Sequence, residues 1–393
     1  QEKILSSVNR LYSLQYNVKN YFDNSESNKK IKKEKNGEVL TPLYLVFEML
    51  SEIPEYVWRD KSLKWLDPVV GDGHFMVVLY FILMEYLSDD EFMFDKKMKS
   101  YHILTKMLYM IDINDDNCQR TIQLFKLIEP NININIRCKN FIKVKLIDYS
   151  NIKFDVIMMN PPYNLQGIKS KGQKNVWVYF SVKAFELLRA DGFLLTIHPS
   201  CWRINNYKPW GTKIDIHEIY FSKNILHVSM YTIIQTYEMM DVQINLDYLL
   251  ILNNNRAISK HENFTKQLMD ITNIYGENYK IDIRSNSIIA NFGHSVINKL
   301  ILLSEKYGSL HDLLYHTSEL HHDLWKKKKI NEGPFEIIHL MKKKGKTIYK
   351  SERAHTHQKT PKIIINGFGV KYVYFDEEGK YGVTDTPFII LSS

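Results

Sequence analysis

The chain has 393 residues, 45% of them hydrophobic, which is enough for two domains with cores of their own. Its 52 basic and 44 acidic residues leave a net charge of +8, a mild bias towards polyanionic partners. No apolar run reaches the length of a membrane span, and no N-terminal stretch has the layout of a secretory signal. Three scattered cysteines (Cys118, Cys138 and Cys201) argue against a disulfide framework or a zinc site, so an intracellular, reducing location is expected.

In chain order, residues 1–37 are polar and charged. Ile4, Val8, Leu11 and Leu14 fall near helical spacing within Ile4–Tyr16, and the lysine-rich stretch from Ser25 to Gly37 reads as a solvated linker. Thr41-Pro42 reads as a helix start, with Thr41 as cap, Pro42 in the first turn, and Leu43, Val46, Phe47 and Leu50 as the apolar face. A short apolar strand, Leu63–Leu66, then leads into Asp67-Pro68-Val69-Val70-Gly71-Asp72-Gly73-His74-Phe75, and an apolar helix follows from Met76 to Leu87. An acid at a strand end, two glycines and a helix make the layout of a nucleotide-binding turn, because glycine lets the backbone pass close to a ligand. The carboxylate of Asp67 suits a cationic ligand group better than a phosphate, which points to S-adenosyl-L-methionine.

Residues 88–100 are charged and read as a surface loop. The next strand, Leu108–Ile113, places Asp112 where doubly wound folds hold a ribose, with Asp115 and Asp116 open as alternatives or as caps of a helix at Cys118–Ile128. A strand at Ile132–Arg137 precedes Asn140-Phe141, and the apolar strand Phe154–Met159 delivers Asn160-Pro161-Pro162-Tyr163 at its C-terminal end. Residues 165–175 read as a loop. A helix at Val176–Arg189, a turn at Asp191-Gly192 and strands at Phe193–Ile197, Ile225–Met230 and Tyr248–Leu252 bring the count to about seven in a mainly parallel sheet.

Beyond residue 255 the strand–helix rhythm is lost. A helix is expected at Ser295–Tyr307 and strands at Lys362–Asn366 and Tyr372–Phe375, with Asp376-Glu377-Glu378-Gly379 as a hairpin turn into Tyr381–Val383. The expected division is an extension at 1–37, an α/β domain at 38–255 and a mixed α+β domain at 256–393. Two lysine runs, Lys326-Lys327-Lys328-Lys329 and Lys342–Lys346, are basic enough to meet phosphates. His321-His322 and the pair His355 and His357 lack acids or cysteines at ligand spacing, so they read as surface or DNA-facing histidines and no metal is expected. Glu378-Gly379-Lys380 fits half of a nuclease signature, but the only upstream acid in reach, Asp376, is too close.

The glycine loop and Asn160-Pro161-Pro162-Tyr163 together resemble the N6-adenine DNA methyltransferases. The order of Thr-Pro helix, glycine loop, Asn-Pro-Pro-Tyr turn and long C-terminal region resembles their gamma class from restriction–modification systems. The resemblance covers residues 38–255 well and 320–393 loosely. It implies a Rossmann-like, doubly wound S-adenosyl-L-methionine-dependent sheet with a C-terminal target-recognition domain acting on double-stranded DNA. It also implies a monomer, with a separately encoded restriction endonuclease as a potential partner.

The cofactor residues it implies are Thr41, Asp67, Pro68, Gly71, Gly73, Phe75, Asp112, Ile113, Asn140 and Phe141. Asn140 stands where that family has an aspartate, and its amide oxygen can still accept from an adenine amino group. The catalytic turn is Asn160, Pro161, Pro162 and Tyr163. Met240 is the nearest match to the residue that packs on the second face of the base, and Lys326–Lys329 are the candidate phosphate contacts.

The chemistry follows from the amine. Its lone pair is spread into the ring, so two acceptors, the Asn160 side-chain oxygen and the Pro161 carbonyl, are needed to draw it towards tetrahedral geometry. The prolines fix the turn, and Tyr163 offers a face to a base that has left the duplex. The same tetrapeptide serves glutamine and ribosomal-RNA methyltransferases, which remain alternatives. So do a bifunctional restriction–modification protein and a non-catalytic nucleic-acid-binding protein on the same fold.

Overall fold

The structure, a computed structural model, describes residues 39–163, 175–204, 208, 212–254, 268–282, 289, 306, 314–315, 333–342, 345–355, 357–366, 373–383 and 388–392. The readings made above for 1–38, 165–174, Ser295–Tyr307 (Lys306 apart), His321-His322 and Lys326–Lys329 fall outside these residues. The chain forms two compact units, 1–292 and 293–393.

The first unit is built on one sheet in the order β3-β2-β1-β4-β5-β7-β6-β8-β9. Its strands are β1 (Trp65–Asp67), β2 (Leu108–Asp112), β3 (Asn135–Cys138), β4 (Phe154–Met159), β5 (Leu188–Pro199), β6 (Asn224–Tyr231), β7 (Leu246–Leu252), β8 (Leu268–Thr272) and β9 (Asn278–Asp282). β1 to β5 run parallel, and β7 is antiparallel to both β5 and β6. All six residues of β4 are buried: Val156–Met159 form the apolar run expected of a central strand covered on both faces, and Asp155 pairs with Arg189 and accepts from the Lys64 amide. Its helices among the described residues are α1 (Leu43–Ser51), α2 (His74–Tyr86), α3 (Lys96–His102), α4 (Asp115–Ile128), α5 (Trp177–Leu187), α6 (Ile216–Phe221) and α7 (Ile233–Met240). This is the doubly wound α/β sheet expected of a methyltransferase.

The strand order reverses between β1 and β4, which are direct parallel neighbours with Leu66 opposite Ile157. The segments leaving these two strands therefore emerge side by side at the C-terminal edge. That switch point is where open α/β sheets bind ligands. The glycine loop follows β1, and the Asn160 turn follows β4.

Several expectations change. Residues 88–100 are not a loop but a 3-10 turn (Asp89–Phe92) and α3, which Asp95 caps through the Lys97 and Met98 amides. Their charge disguised this, because Lys99 is buried, with its ammonium 2.8 Å from Asp89 and 2.5 Å from the Leu87 carbonyl. Thr41 does not cap α1. Pro42 occupies the cap, its carbonyl accepting from the Val46 amide at 3.0 Å, and the Thr41 side chain is used elsewhere. Among the described residues the sheet has nine strands rather than about seven, because β8 pairs parallel with the open edge of β6 and turns back as β9 through Asn273–Glu277, with Gly276 at φ 76°. The expected boundary at 255 thus falls inside the first unit.

The second unit holds a four-stranded sheet, β10-β16-β13-β14, and a three-stranded one, β12-β11-β15. The strands are β10 (Leu314–Tyr315), β11 (Phe335–Lys342), β12 (Gly345–Ser351), β13 (Lys362–Asn366), β14 (Val373–Asp376), β15 (Tyr381–Val383) and β16 (Phe388–Ser392). The turn at Asp376–Gly379 is present but is not a hairpin. β14 pairs with β13, whereas β15 leaves to run parallel with β11. Asp376 fixes this change of sheet: its carboxylate accepts from the Lys380 and Tyr381 amides, both at 2.9 Å, and meets the buried Lys362 ammonium at 2.6 Å. Gly379, at φ 63°, abuts the Lys359-Thr360 backbone so closely that a Cβ would lie 2.4 Å from the Thr360 nitrogen. His355 and His357 are not surface residues but 2% and 1% exposed, their ring centroids 3.7 Å apart and their planes tilted by 53°. Lys346 packs its ammonium over the Tyr374 and Tyr381 rings, at 3.2 and 4.5 Å from their centroids.

Candidate active site

The glycine loop turns tightly at the end of β1. The Gly73 amide donates to the Val70 carbonyl at 2.8 Å, and the Val70 amide reaches across to the Ile111 carbonyl on β2 at 2.9 Å. Gly71 and Gly73 have φ of 52° and 85°, a region other side chains avoid, and Gly73 is the cap of α2. Phe75, the second residue of α2, is buried in the core beneath the loop.

Asp67 is 1% exposed. It accepts from the Val69 amide at 3.0 Å, and no cationic side chain among the described residues pairs with it. Burial pushes its carboxyl up to about 8, against the smaller lowering by the Val69 bond, and the neighbouring Asp112 charge adds to the rise. A buried carboxylate with no cation of its own, beside two positive-φ glycines, fits the sulfonium or ammonium of S-adenosyl-L-methionine.

Asp112, at the end of β2, is tied into the loop. One carboxylate oxygen accepts from the Gly71 amide at 2.9 Å, the other from the Asn114 amide at 2.9 Å and the Asn117 side chain at 3.3 Å. Asn117 also accepts from Arg120, whose Nε lies 2.9 Å from the buried Asp72. This chain of contacts clamps the glycine loop to α4, and nothing in the sequence marked Asn117 or Arg120 for it. Asp115 and Asp116 lie in the first turn of α4, which Asn114 caps. Ile113, just past β2, is 69% exposed. The Asn140 side-chain oxygen accepts from the Ile142 amide at 3.0 Å, so it caps its own turn and keeps one lone pair for another donor. Phe141 is buried, its ring 5.4 Å from that of Phe180.

At the end of β4 the Asn160 side-chain amide has partners for both its nitrogen and its oxygen. Its nitrogen donates to the Val39 carbonyl and to the Thr41 hydroxyl, both at 3.0 Å, and its oxygen accepts from the Tyr163 hydroxyl at 2.9 Å. Pro161 is buried and Pro162 exposed. Tyr163 is 8% exposed, and burial pushes its phenol above the ordinary range. In this conformation Tyr163 braces Asn160 rather than presenting an open face. Met240, the last residue of α7, is 7% exposed and packs in the core.

The adjoining strand carries a buried polar group that the sequence reading missed. His198, near the C-terminal end of β5, stacks on Trp177 and meets the Tyr220 hydroxyl at 2.9 Å, and Tyr220 donates to Ser181 at 2.8 Å. Burial holds this imidazole down at about 3. The pattern of β5 hides it, since a histidine between Ile197 and Pro199 carries no periodic signal.

Strand order, glycine loop and asparagine turn together define a Rossmann-like fold of the S-adenosyl-L-methionine-dependent methyltransferase kind. Residues 90–231 match the family model described as Eco57I restriction-modification methylase, a span that holds the Asn160 turn but not the glycine loop. No curated protein matches the chain.

Many solved structures are similar, three of which are as follows. One, from Vibrio vulnificus YJ016 and assigned as a modification subunit of a type I restriction enzyme, is 13% identical over 75% of this chain and 60% of its own, with a TM-score of 0.46. The type I restriction-modification methyltransferase subunit from Streptococcus thermophilus is 12% identical over 69% of this chain and 54% of its own, at 0.41. A protein from Listeria monocytogenes assigned as a class I S-adenosylmethionine-dependent methyltransferase is 11% identical over 69% and 72%, at 0.40. The chain therefore spans less than two thirds of the first two.

Proposed function

We propose that the protein is a site-specific DNA adenine-N6 methyltransferase, moving the methyl group of S-adenosyl-L-methionine to an adenine flipped out of double-stranded DNA. The observation that carries this is the Asn160 amide, fixed with its oxygen as acceptor at the end of the strand beside the glycine loop. The cofactor would lie along the loop with a cationic group near Asp67, its ribose near Asp112 and its adenine between Ile113 and Asn140-Phe141. Bound there, it supplies an activated methyl group. The protein's own part is to hold the amine: one amino hydrogen donates to Asn160 Oδ1, the other to the Pro161 carbonyl, and the nitrogen lone pair is turned towards the methyl donor. Positioning of this kind accounts for much of the rate in a transfer that needs no covalent intermediate on the protein.

The base has to leave the duplex to be reached. The second unit, 293–393, is the candidate for reading sequence and holding the strands, with Lys326–Lys329 as phosphate contacts and Met240 as a contact to the base. A separately encoded endonuclease fits this reading. The test is direct: methylate plasmid DNA with isotopically labelled cofactor, digest to nucleosides and identify the labelled base. Label on N6-methyladenine supports the proposal. Label on cytosine, or only on RNA or a glutamine peptide, overturns it.

A further inference from the structure

The Asn160 amide could be placed either way round its bond, and only one way is useful to an amine. The Val39 carbonyl decides between them. A carbonyl can only accept, so the group 3.0 Å from it has to be the amide nitrogen. The second amide hydrogen goes to the Thr41 hydroxyl, also at 3.0 Å. Both hydrogens are thereby used on segment 39–41, and the oxygen is left facing away from it. One of that oxygen's two lone pairs takes the Tyr163 hydroxyl, and the other remains for a substrate hydrogen. Thr41 itself is 5% exposed, and its carbonyl lies 2.7 Å from Nδ1 of His74, the first residue of α2 after the glycine loop. That carbonyl also accepts only, so His74 Nδ1 carries the proton. Thr41 thus stands between the glycine loop on one side and the amine-accepting asparagine on the other.

We infer that Thr41 is a positioning residue for Asn160: its hydroxyl, with the Val39 carbonyl, selects the amide orientation that presents Oδ1 to the substrate amine, and its backbone ties that orientation to the glycine loop through His74. This differs from the role the sequence suggested, in which Thr41 caps a helix and contacts the cofactor. It rests on the reading of Asn160 as the amine acceptor, and its test can fail separately from that reading.

The experiment compares Thr41→Val, Thr41→Ala and Thr41→Ser in the full chain. The first readout needs no activity. In protein labelled with 15N-asparagine, the Asn160 side-chain amide, assigned by its loss in Asn160→Asp, should exchange its hydrogens slowly. Exchange should quicken by about tenfold in Thr41→Val and Thr41→Ala, the effect of one neutral hydrogen bond, and return to the wild-type rate in Thr41→Ser. Cofactor affinity by calorimetry should stay within about twofold in all three, while single-turnover methylation of an adenine-containing duplex falls by about tenfold without the hydroxyl and recovers with serine. Unchanged exchange in both hydroxyl-free variants overturns the inference. So does a tenfold loss of cofactor affinity with unchanged exchange, which would return Thr41 to the cofactor. If the wild-type protein methylates no adenine, the proposed function falls while the exchange measurement still decides what Thr41 does.

Discussion

At the scale of single residues, two side chains carry opposite duties. Asn160→Ala removes the oriented acceptor and should abolish methyl transfer, while cofactor affinity measured by calorimetry stays near wild type. Loss of both together would mean that the turn helps to hold the cofactor. Tyr163→Phe keeps the ring and removes only the bond to Asn160, so under the proposed function it should retain far more rate than Tyr163→Ala, which also removes the ring proposed to turn towards and stack on the base, a contact of about 1–3 kcal/mol.

Asp67 gives a pH dependence. Its carboxyl is at about 8 in the folded chain, against 3.8 for an ordinary aspartate. Between those values the folded state holds a proton that the unfolded chain has released. Raising the pH across the window therefore lowers stability in the absence of ligand. A cationic ligand favours the ionised form, so cofactor binding at pH 7 should release a proton. Calorimetry in buffers of different ionisation enthalpy would detect it, and the release should vanish in Asp67→Asn. Equal heats in all buffers would remove Asp67 from the cation site.

At the scale of elements, the glycine loop depends on neighbours far along the chain. Gly73 caps α2 at φ 85°, and a Cβ there would stand 3.1 Å from Leu124 of α4. Gly73→Ala should therefore lower stability by about 1–3 kcal/mol, the range for a residue held in sparsely populated backbone space, and weaken cofactor binding with it. Thermal melts and calorimetry check both, and a variant as stable as wild type would show that the loop has room to relax.

The extra hairpin β8–β9 lengthens the sheet at the edge of β6. That edge was invisible in the sequence, because a strand's partner is chosen by what lies across it rather than by its own pattern. Thr41 shows the same limit: Thr-Pro before an apolar run predicts a cap, but the hydroxyl accepts instead from a half-buried asparagine 119 residues away.

At the scale of the whole molecule, the division of the chain sets a prediction. A chain ending at 254 would expose the β6 edge, whereas one ending at 292 keeps the nine strands. The shorter form should melt lower or aggregate, and the longer should bind cofactor yet lose sequence-specific methylation of duplex DNA. Full specific activity in the longer form would show that the second unit is not the recognition domain. Neutralising Lys326–Lys329 should weaken binding to all duplexes alike and flatten its salt dependence, because phosphate contacts act through counterion release. An unchanged salt slope would remove that run from the DNA surface.

The sequence by itself determined the central strands, the glycine loop and the asparagine turn. These are local signals: an apolar run such as Val156–Met159 can only be a buried strand or helix, two prolines lock a turn, and two glycines between an acid and a helix leave the backbone free to curl. Tertiary structure alone decided which long-range partners complete the site. β1 and β4 became neighbours by a reversal of strand order, which brought Asp67 and Asn160 to one edge. Val39 and Thr41 came to hold the Asn160 amide, and Asn117 and Arg120 to clamp the loop. Hydrogen bonds such as those of Asn160 to Val39 and of Arg120 to Asp72, 121 and 48 positions apart, leave no periodicity in the chain, since each donor needs only the right neighbour in space.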